Sequence, residues 1–542
     1  MPNRLFRTSC LLSSVICLLS LAGCGKRETP VEEGIRTQTL LLGNLAEPKD
    51  LDPHILDAFT DMNIAVALFE GLTALDEQTG KPIPAAAERW EISPDGLVYT
   101  FHLRANAKWS DGTPLTAQDF AYSFQRILTP AFAASYSYML WPIKNAEAFN
   151  AGKITDFSQV GVATPDATTL RLTLERPTSY LLALAAHNTW YPVPKSAIDK
   201  NGGMLQHGSH WTRPGNLVGN GPFTLTEWNP NSRITVEKNL HYWDAATVRL
   251  NRIRFLPVES AEVEERNFRA GQMHLTWELP SSKVVAYQAE HSPQLRIDPL
   301  LSIYYLNFNL QKPPFDNMLV RRAFSLVLDR AALSRSVLNG VLPPAYSFVP
   351  PGCGDYQSTA PIEENTTTAR NLLKAAGYPE GRGLPPISLQ VLNDQRQPKL
   401  AEAAQAIWSR ELGANVTIEM NEQKVWLQNQ QSMTHQVAFL GWTADFPDPI
   451  TFLSLAQTDN GQNWSGYSNP VYDQMLKQAE NDPDPAKRQE MLQAAEGLLL
   501  AECPVAPLVY RSRTFLIHPA VKNWEPAVVG IHLYKKVYLE RP

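Results

Sequence analysis

Residues 437–449, which read VAFLGWTADFPDP, constrain the fold of this chain more than any other stretch. The apolar run at 437–440 predicts a buried strand, and the prolines that follow prevent the strand from continuing, because proline has no N–H to donate to a ladder. We expect the strand to end at a cleft, with Trp442 as a wall and Asp445 as the nearby charge. Such a carboxylate favours a cation, and an α-amino group is mostly protonated near neutral pH. On these residues alone, a solvated aspartate in a loop stays the alternative.

Length and composition indicate a globular protein of several lobes. The chain has 542 residues, which is too long for one hydrophobic core, so two or three lobes are expected. Apolar residues make up 44% and charged residues 19%, values typical of a folded protein rather than a disordered one. The formal net charge of -6 and the lack of a Lys/Arg run give no electrostatic support for binding nucleic acid.

The N-terminus has the features of a lipoprotein signal peptide. Two arginines precede an apolar stretch at 11–22, which is short for a bilayer span of about 20 residues. The small residues directly before Cys24 match the bacterial lipobox pattern, in which the signal is removed before the cysteine and the cysteine carries the lipid. We therefore predict a signal peptide at 1–23, lipidation of Cys24 and a flexible tether at 24–37. A plain secretory signal and a single membrane anchor are the alternatives.

Five cysteines occur, and only two of them concern the folded chain. Cys10 and Cys17 are removed with the signal and Cys24 carries the lipid, which leaves Cys353 and Cys503. In an oxidising compartment these two could pair, so a disulfide and two separate free thiols both stay open. A catalytic thiol is not favoured, because no histidine or asparagine motif accompanies either cysteine.

Residues 315–330 predict a helix that begins at Asp316 or Asn317, since either side chain can cap it. Apolar residues then recur at helical spacing, which predicts a face directed at the core. The arginines of this stretch are predicted to be surface or ion-pair residues rather than ligands; they are Arg321, Arg322 and Arg330.

The sequence offers no catalytic or metal-binding set. Its 11 histidines form no HExxH motif, and neither a GxSxG elbow nor a GxxxxGK[ST] phosphate loop is present. His207 and His210 have a ligand-like gap but no third partner, so a polar surface is the better interpretation. We predict a protein that is not an enzyme and that needs no metal or other cofactor.

Several stretches together resemble a known family of transport receptors. They lie at 46–54 (AEPKDLDPH), 68–72 (LFEGL), 99–120 (YTFHLRANAKWSDGTPLTAQDF), 308–330 (FNLQKPPFDNMLVRRAFSLVLDR) and 441–449 (GWTADFPDP). With shorter matches they cover nearly the whole chain after the signal, and they resemble the extracellular solute-binding proteins, family 5, of peptide ABC transporters. The resemblance implies an α/β fold like that of the type II periplasmic binding proteins. It would have two main lobes joined by a two-strand hinge and one extra lobe, three domains in all.

The same resemblance divides the chain into lobes that are not all continuous in sequence. Lobe I takes residues 38–70, 194–296 and 512–542, lobe II takes 71–193, and lobe III takes 297–511. Two extended segments, at 301–309 and 508–516, then link the lobes. Closure about such a hinge around a ligand is the expected motion.

The resemblance also implies roles for the residues at the end of the strand. Asp445 stands at the position of an aspartate that pairs with the ligand's α-ammonium, and Trp442 matches a tryptophan that lines a side-chain pocket. Backbone groups of Gly441 and Thr443 would pair with the peptide as a neighbouring strand does, so that main-chain bonds give affinity whatever the side chains are.

Two further segments are implied to contact the ligand. The first is a second strand-like edge at residues 57–59, with Asp57 and Phe59 as contacts. The other contains Tyr138, which matches a ligand-contacting tyrosine, and Tyr136 is the alternative register.

At the carboxylate end of a peptide, this chain departs from the family. The positions that hold basic side chains in relatives, aligned without gaps, hold Phe439, Gln430, Leu338 and Gln397 here. Arg396 and Arg335 lie close in sequence and are the candidates to substitute. Two alternatives stay open: a peptide whose C-terminus is met by water or Arg396, and a different amine-bearing ligand such as a modified or cell-wall peptide.

The sequence therefore predicts a lipid-anchored periplasmic receptor of an ABC importer. It would act as a monomer, trap a short peptide between two closing lobes and deliver it to a permease in the inner membrane, without chemistry on the ligand. Two alternatives keep the same fold. One is a receptor for a non-peptide cargo, such as an opine-like amine, a sugar or a nickel chelate. The other is a sensor lipoprotein that works with no transporter.

Overall fold

A computed structural model describes residues 28–542, apart from positions 57, 209, 395, 459 and 483. Asp57, Cys24 and the signal peptide predicted at 1–23 therefore lie outside the described residues. No helix within the described part of the chain is both long and apolar enough to cross a bilayer.

Strands and helices are interspersed along the described chain, and from β12 to β14 they alternate one by one, as in an α/β fold. The strands are β1 (Thr39–Gly43), β2 (Thr73–Leu75), β3 (Pro82–Pro84), β4 (Ala87–Ile92), β5 (Val98–Leu103), β6 (Val162–Asp166), β7 (Thr169–Thr173), β8 (Phe223–Asn229), β9 (Arg233–Lys238), β10 (Arg252–Leu256), β11 (Leu295–Phe308), β12 (Ile387–Leu392), β13 (Val416–Asn421), β14 (Val437–Thr443), β15 (Val505–Leu516), β16 (Val521–Lys522) and β17 (Tyr538–Leu539). The helices are α1 (Pro30–Thr37), α2 (Phe59–Leu68), α3 (Ala117–Leu128), α4 (Ala146–Asn150), α5 (Leu181–Leu184), α6 (Lys195–Lys200), α7 (Ala261–Arg269), α8 (Ser281–Ala289), α9 (Met318–Leu326), α10 (Arg330–Leu338), α11 (Thr366–Ala375), α12 (Gln397–Leu412), α13 (Gln423–Gln431), α14 (Ile450–Leu453), α15 (Pro470–Asn481) and α16 (Pro485–Glu502). Short 3-10 turns lie at Pro130–Phe132, Ser137–Leu140, Phe157–Gln159, Asn188–Trp190, His210–Thr212, Pro379–Gly381, Ser454–Ala456 and Tyr534–Lys536.

The first sheet contains β1, β10, β9 and β8 in that order. β1 runs parallel to β10, and the other neighbours are antiparallel. Every residue of β1 is buried, which is expected of a strand covered on both faces. The core around this sheet also contains Trp524 and Tyr534, so the two ends of the described chain pack together here.

The second sheet, β4-β5-β7-β6, is antiparallel throughout. β5 alternates between partly and fully buried residues, the period-2 pattern of a strand with one face against a core. That core is shared with α3, whose Phe120 and Phe124 are fully buried. The N–H and hydroxyl of Thr116 donate to the Asp119 carboxylate (2.8 and 2.9 Å), which fixes where α3 begins.

The third sheet, β13-β12-β14-β11-β15, contains the proline-terminated strand β14. β11 pairs with β14 along all seven residues of the latter. β12 pairs with β14 only at Val437 and Ala438. The remainder of β14, from Phe439 to Thr443, therefore has one edge that no described strand covers.

Two long strands connect the core of the first sheet with the core of the third sheet. β11 and β15 pair antiparallel over most of their length, with a register shift between Pro299 and Ile303. At one end Leu516 packs with Leu41 of β1, and at the other end Leu306 lies in the core of the third sheet. The extended segments predicted at the hinge correspond to parts of this two-strand ribbon, whereas the exact lobe boundaries stay a prediction.

The flexible tether predicted at 24–37 is wrong from residue 30 onward. Residues Pro30–Thr37 form α1, and Thr29 and Glu32 cap its start through reciprocal hydrogen bonds of 3.2 and 2.8 Å. Val31 is buried and attaches the helix to the fold. The charged composition of this segment did not predict a helix, because few of its residues pack against the rest of the protein.

The disulfide considered between Cys353 and Cys503 is not formed. Both residues are buried free cysteines, and they lie in different cores. The Cys503 thiol contacts the carbonyl oxygens of Arg321 and Val505, each at 3.7 Å. Burial raises the pKa of both thiols, which makes them unreactive packing residues.

Helix α9 begins after Asn317, as predicted, but the arginines that follow are more buried than expected. Arg330 is fully buried and pairs with Glu364 (3.2 Å), in agreement with an ion-pair role. Arg321 instead donates to main-chain carbonyl oxygens, among them that of Glu502 (2.7 Å). The prediction of a surface or ion-pair role is therefore wrong for Arg321, since the carbonyl dipoles at the C-terminal end of α16 attract its charge.

Candidate ligand-binding site

β14 ends at a cleft in which two neighbouring cavities share Trp442 and Asp445. The first cavity has a volume of about 260 Å³ and is mostly apolar, with walls from Phe59, Met62, Val66, Leu75, Val529 and Leu533. The second cavity has a volume of about 580 Å³ and combines aromatic and charged walls, from Tyr138, Trp141, Arg176, Tyr180, Phe446 and Glu480. Trp442 and Asp445 thus lie at the junction of the two cavities, which is where the sequence places the end of the strand.

The two aspartates after β14 have different surroundings. Asp448 is buried and accepts hydrogen bonds from the Arg488 guanidinium (2.7 Å) and the Ile450 N–H (3.0 Å), so it stabilises the turn. Asp445 forms no ion pair or hydrogen bond with any residue that the structure describes, and burial raises its pKa to about 6. A carboxylate in these surroundings gains most from a cationic partner, which would lower its pKa again.

The uncovered edge of β14 presents main-chain groups to the same cleft. Ala444 donates its N–H to the carbonyl oxygen of Leu301 (2.8 Å), which fixes the alternation of hydrogen bonds between β14 and β11. Because successive residues of a strand direct their main-chain groups to opposite sides, those of Gly441 and Thr443 point away from β11. They face the edge that β12 leaves uncovered, where an extended ligand can pair with them.

Side chains near the end of β14 are held by the neighbouring strands. The Thr443 hydroxyl contacts Ser302 Oγ (2.8 Å) and Arg511 Nη1 (3.3 Å), so this side chain stabilises the sheet and leaves only the backbone for a ligand. Gly441 is exposed, and a Cβ at this position would lie 2.9 Å from the Tyr304 ring. Glycine is therefore required for the close approach of Tyr304 on β11.

Both tyrosines considered as ligand contacts lie at the cleft. Tyr138 lines the second cavity and Tyr136 the first, and their rings stack with 5.7 Å between centroids. Burial and the negative charge of Asp445 raise the pKa of Tyr138, so its hydroxyl stays protonated. The two registers considered in the sequence thus correspond to two wall positions, one in each cavity.

Phe59 lies in the cleft, but not on a strand. Its exposed ring lines the first cavity, and it is the first residue of α2. The strand-like edge predicted at 57–59 is therefore wrong at Phe59, because the helix has already begun at this residue. Ala58 is extended, and Asp57 lies outside the described residues.

Arg396 faces another part of the protein rather than the two cavities. Its guanidinium pairs with the carboxylate of Glu278, which lies in the loop before α8. Arg396 lines neither cavity, and Arg335 is exposed on α10. The structure therefore does not bring either of these arginines to Asp445.

Sequence reasoning missed three titratable residues of the cleft. Arg176 and Glu480 line the second cavity, 3.8 Å apart, and His187 lines the first, where burial lowers its pKa to about 4 and keeps it neutral. No local pattern marks these residues, because they come from loops and helix ends far apart in the sequence. Among the described residues, no group of three or more His, Cys, Asp and Glu side chains is placed to hold a metal ion.

A two-strand ribbon between cores, together with a cleft that exposes a strand edge and an uncompensated carboxylate, is the architecture of a solute-binding protein. The chain belongs to the bacterial extracellular solute-binding proteins, family 5: residues 81–464 match the family described as "Bacterial extracellular solute-binding proteins, family 5 Middle". The family predicted from the sequence is thereby confirmed.

Individual relatives and a solved structure agree with this assignment. The chain is 35% identical to the periplasmic oligopeptide-binding protein OppA of Salmonella typhimurium over 528 residues, 95% of each chain. It is 34% identical to the probable deoxycholate-binding periplasmic protein YgiS of Escherichia coli over 531 residues, 96% of each chain. It also resembles the unliganded open form of the periplasmic murein tripeptide binding protein MppA, with a TM-score of 0.81, 32% identity, and coverage of 93% of this chain and 97% of that one. The predicted type II periplasmic-binding-protein fold is thereby confirmed, and these relatives are named as binding proteins rather than enzymes.

Proposed function

We propose that this chain is a lipid-anchored receptor of an ABC importer that captures short peptides in the cleft and delivers them to a permease in the inner membrane. One observation carries the proposal: Asp445 has no cationic partner among the described residues and lies at the junction of the two cavities, beside the uncovered edge of β14. A peptide provides a partner for each of these two features. Its α-ammonium neutralises the Asp445 carboxylate, and its main chain pairs with the uncovered edge of β14.

Asp445 sets the position of the ligand's amino end. From there an extended main chain runs along Gly441 and Thr443 as an added strand, and these hydrogen bonds do not depend on the ligand's sequence. Removing the carboxylate would leave a desolvated cation unpaired, at a cost of about 3 kcal/mol or more. A loss of that size lowers affinity by roughly a hundredfold.

A non-peptide cargo is the second candidate, and the apolar lining of the first cavity favours it. The relative named as a probable deoxycholate-binding protein suggests an amphipathic anion. An anion in this cleft would lie beside the uncompensated carboxylate of Asp445. The charge of the site therefore favours a cationic group over an anion.

Calorimetric titration with three probes tests the proposal: the tripeptide Ala-Ala-Ala, its N-acetylated form, and deoxycholate. We expect the free amine to bind and the acetylated peptide to bind about a hundredfold more weakly. Asp445→Asn should lose a similar factor for the free tripeptide, whereas the control Asp199→Asn, at an exposed position on α6, should bind normally. Equal binding of the acetylated peptide, or an undiminished affinity of Asp445→Asn, would contradict the proposal. Binding of deoxycholate and no peptide would favour the second candidate.

Delivery to a permease requires a separate measurement. Cells that carry the gene should take up a labelled tripeptide, and deletion of the gene should abolish that uptake. The wild-type gene should restore uptake and the Asp445→Asn gene should not. Tight peptide binding without any dependence of uptake on the gene would favour a sensor lipoprotein instead.

A further inference from the structure

The walls of the second cavity differ in chemistry from those of the first. The first is lined mostly by aliphatic and aromatic side chains, and Asp445 is the only carboxylate among the described residues of its walls. Of the residues that the structure describes, the walls of the second contain two carboxylates, Asp445 and Glu480, against the single guanidinium of Arg176. At neutral pH these walls carry an excess of one negative charge, and once an α-ammonium neutralises Asp445 the charge that stays least compensated is Glu480, whose contact with Arg176 is 3.8 Å long.

Glu480 is poorly compensated by its surroundings. It lies in the last turn of α15 with only 17% of its side chain exposed, and burial raises its pKa. Its one ion pair among the described residues is with Arg176, at 3.8 Å, and the Arg176 side chain is 45% exposed to solvent. The nearby Arg488 is already bound to Asp448 (2.7 Å). A more closely held cation would therefore stabilise Glu480 further.

Aromatic rings complete the cavity. Tyr138 and Trp141 belong to the large side chains that the protein itself leaves uncovered, with 42% and 39% of their surface exposed, and their rings meet edge to face at 6.5 Å. Tyr180 lines the same cavity and stacks on Phe446 at 4.9 Å. The face of an aromatic ring attracts a cation by about 0.5–2 kcal/mol, depending on how far the pair is removed from water.

We infer that the second cavity binds the cationic side chain of a ligand residue, a lysine or arginine, with Glu480 as its counter-ion and the uncovered rings as its walls. The inference rests on the proposed function, since it takes Asp445 as the partner of the peptide's amino end. Successive side chains of an extended peptide point to opposite sides. Because the two cavities meet at Asp445 and Trp442, one of the first two ligand side chains enters the second cavity while the other enters the apolar first cavity.

Other side chains fit the second cavity less well. With Asp445 neutralised by the ligand's α-ammonium, an acidic side chain would still place a second negative charge beside Glu480. An aliphatic side chain would leave Glu480 partly desolvated with only its distant contact to Arg176. The protein therefore selects basic peptides at one of the first two positions, although its main-chain contacts accept any sequence.

Matched tripeptides test this inference on the wild-type protein. The probes are Lys-Ala-Ala and Ala-Lys-Ala, each compared with its counterpart containing acetyl-lysine, which keeps the side-chain length but removes the charge. We expect one of the two lysine peptides to bind about tenfold or more tightly than its acetylated counterpart. Equal affinities within both pairs would overturn the inference while leaving the proposed function intact. Failure of every tripeptide to bind would instead contradict the proposed function itself.

Three variants then locate the charge that is responsible. Glu480→Gln should reduce the ratio of lysine to acetyl-lysine affinity to about threefold or less, and Glu490→Gln, at an exposed position on α16, should leave the ratio unchanged. Arg176→Gln should increase the ratio, because Glu480 loses the cation that now competes for it. A lysine preference that survives Glu480→Gln, or that falls in Arg176→Gln, would overturn the assignment to Glu480.

Discussion

Asp445 and Asp448 follow the same strand three residues apart, yet within the described part of the chain only Asp448 has an arginine partner. Arg488 neutralises Asp448 inside the protein, whereas Asp445 stays uncompensated at the junction of two cavities. One carboxylate therefore stabilises the turn and the other is available to a ligand. Replacing each aspartate with a neutral asparagine should therefore change the stability of the ligand-free protein in opposite directions.

Stability of the ligand-free protein provides the first prediction. The pKa of Asp445 is about 6 in the folded protein against an ordinary 3.8, so the folded state binds more protons between these values and loses stability as pH rises through them. Asp445→Asn should therefore raise the free energy of unfolding at pH 8 by up to about 3 kcal/mol, and the gain should vanish near pH 4.

The control for this prediction is Asp448→Asn, which should destabilise the protein by about 3 kcal/mol, since it leaves Arg488 buried without its partner. Melting temperatures of both variants and the wild type, measured from pH 4 to pH 8, check the signs. A stability difference for Asp445→Asn that stays constant over this range would contradict the assigned pKa.

Peptide affinity should itself depend on pH. An α-ammonium beside Asp445 lowers the pKa of the carboxylate below 6, so binding below pH 6 releases a proton and weakens by up to about tenfold for each pH unit. Affinity should level off above pH 6 and fall again near pH 8, where the ligand's amino group loses its proton. Titrations in buffers of different ionisation enthalpy would detect the released proton, and a flat profile between pH 4 and pH 6 would exclude an ionised Asp445 as the partner.

Glycine at position 441 should be sensitive to the smallest possible substitution. Gly441→Ala places a Cβ 2.9 Å from the Tyr304 ring, and overpacking of this kind costs about 1–3 kcal/mol. The matched control is Gly497→Ala in α16, where the new Cβ would contact only the Ala360 Cβ, at 3.4 Å. This substitution should stabilise the helix by up to about 1 kcal/mol. Chemical denaturation of the two variants measures both effects, and equal shifts of the midpoint would contradict the packing seen at Tyr304.

Arg396 and Glu278 should behave as a pair rather than as a ligand contact. Single variants Arg396→Glu and Glu278→Arg should each lower the melting temperature, and the exchanged double variant should recover part of the loss, with a coupling of about 1 kcal/mol or less. Tripeptide acids and their C-terminal amides should show the same affinity ratio in the wild type and in the exchanged variant. A ratio that changes only when Arg396 is replaced would instead assign the ligand's carboxylate to Arg396.

The lipid anchor has a direct test in cell fractionation. Cys24→Ser should move the protein from the membrane to the soluble fraction of the cell envelope, because a serine cannot carry the lipid. Cys10→Ser and Cys17→Ser are matched controls, since both residues are expected to be removed with the signal peptide. Membrane attachment that persists in Cys24→Ser would favour a membrane anchor formed by the N-terminal apolar stretch.

The parts of the fold that the sequence predicts are those set by local chemistry. Prolines end β14 wherever the chain is placed, so the position of Asp445 at a strand end follows from the residues alone. The cap at Asn317 is local in the same way. The strand-like edge at 57–59 was implied by the resemblance rather than by local chemistry, and it is wrong at Phe59, where α2 begins.

Features made by distant segments could not be read from the sequence. Arg321 looks like a surface residue until the end of α16 supplies carbonyl oxygens for it. Glu480 lies in the last turn of α15 and Arg176 in a loop after β7, and no pattern in either segment indicates that both border one cavity. Charge compensation in the cleft is thus a tertiary property, and it distinguishes binding residues from structural ones of the same type.

The packing of Trp524 and Tyr534 against the first sheet has a consequence for how the protein is made. A ribosome makes β1 long before these two aromatic residues, so the apolar interior around β1 stays open until they have been made. The second sheet is built from one uninterrupted segment and can assemble long before. Premature arrest of translation would therefore yield a chain in which the second sheet is folded but the core around β1 is incomplete and exposes apolar residues. Such a chain is a substrate for aggregation and proteolysis.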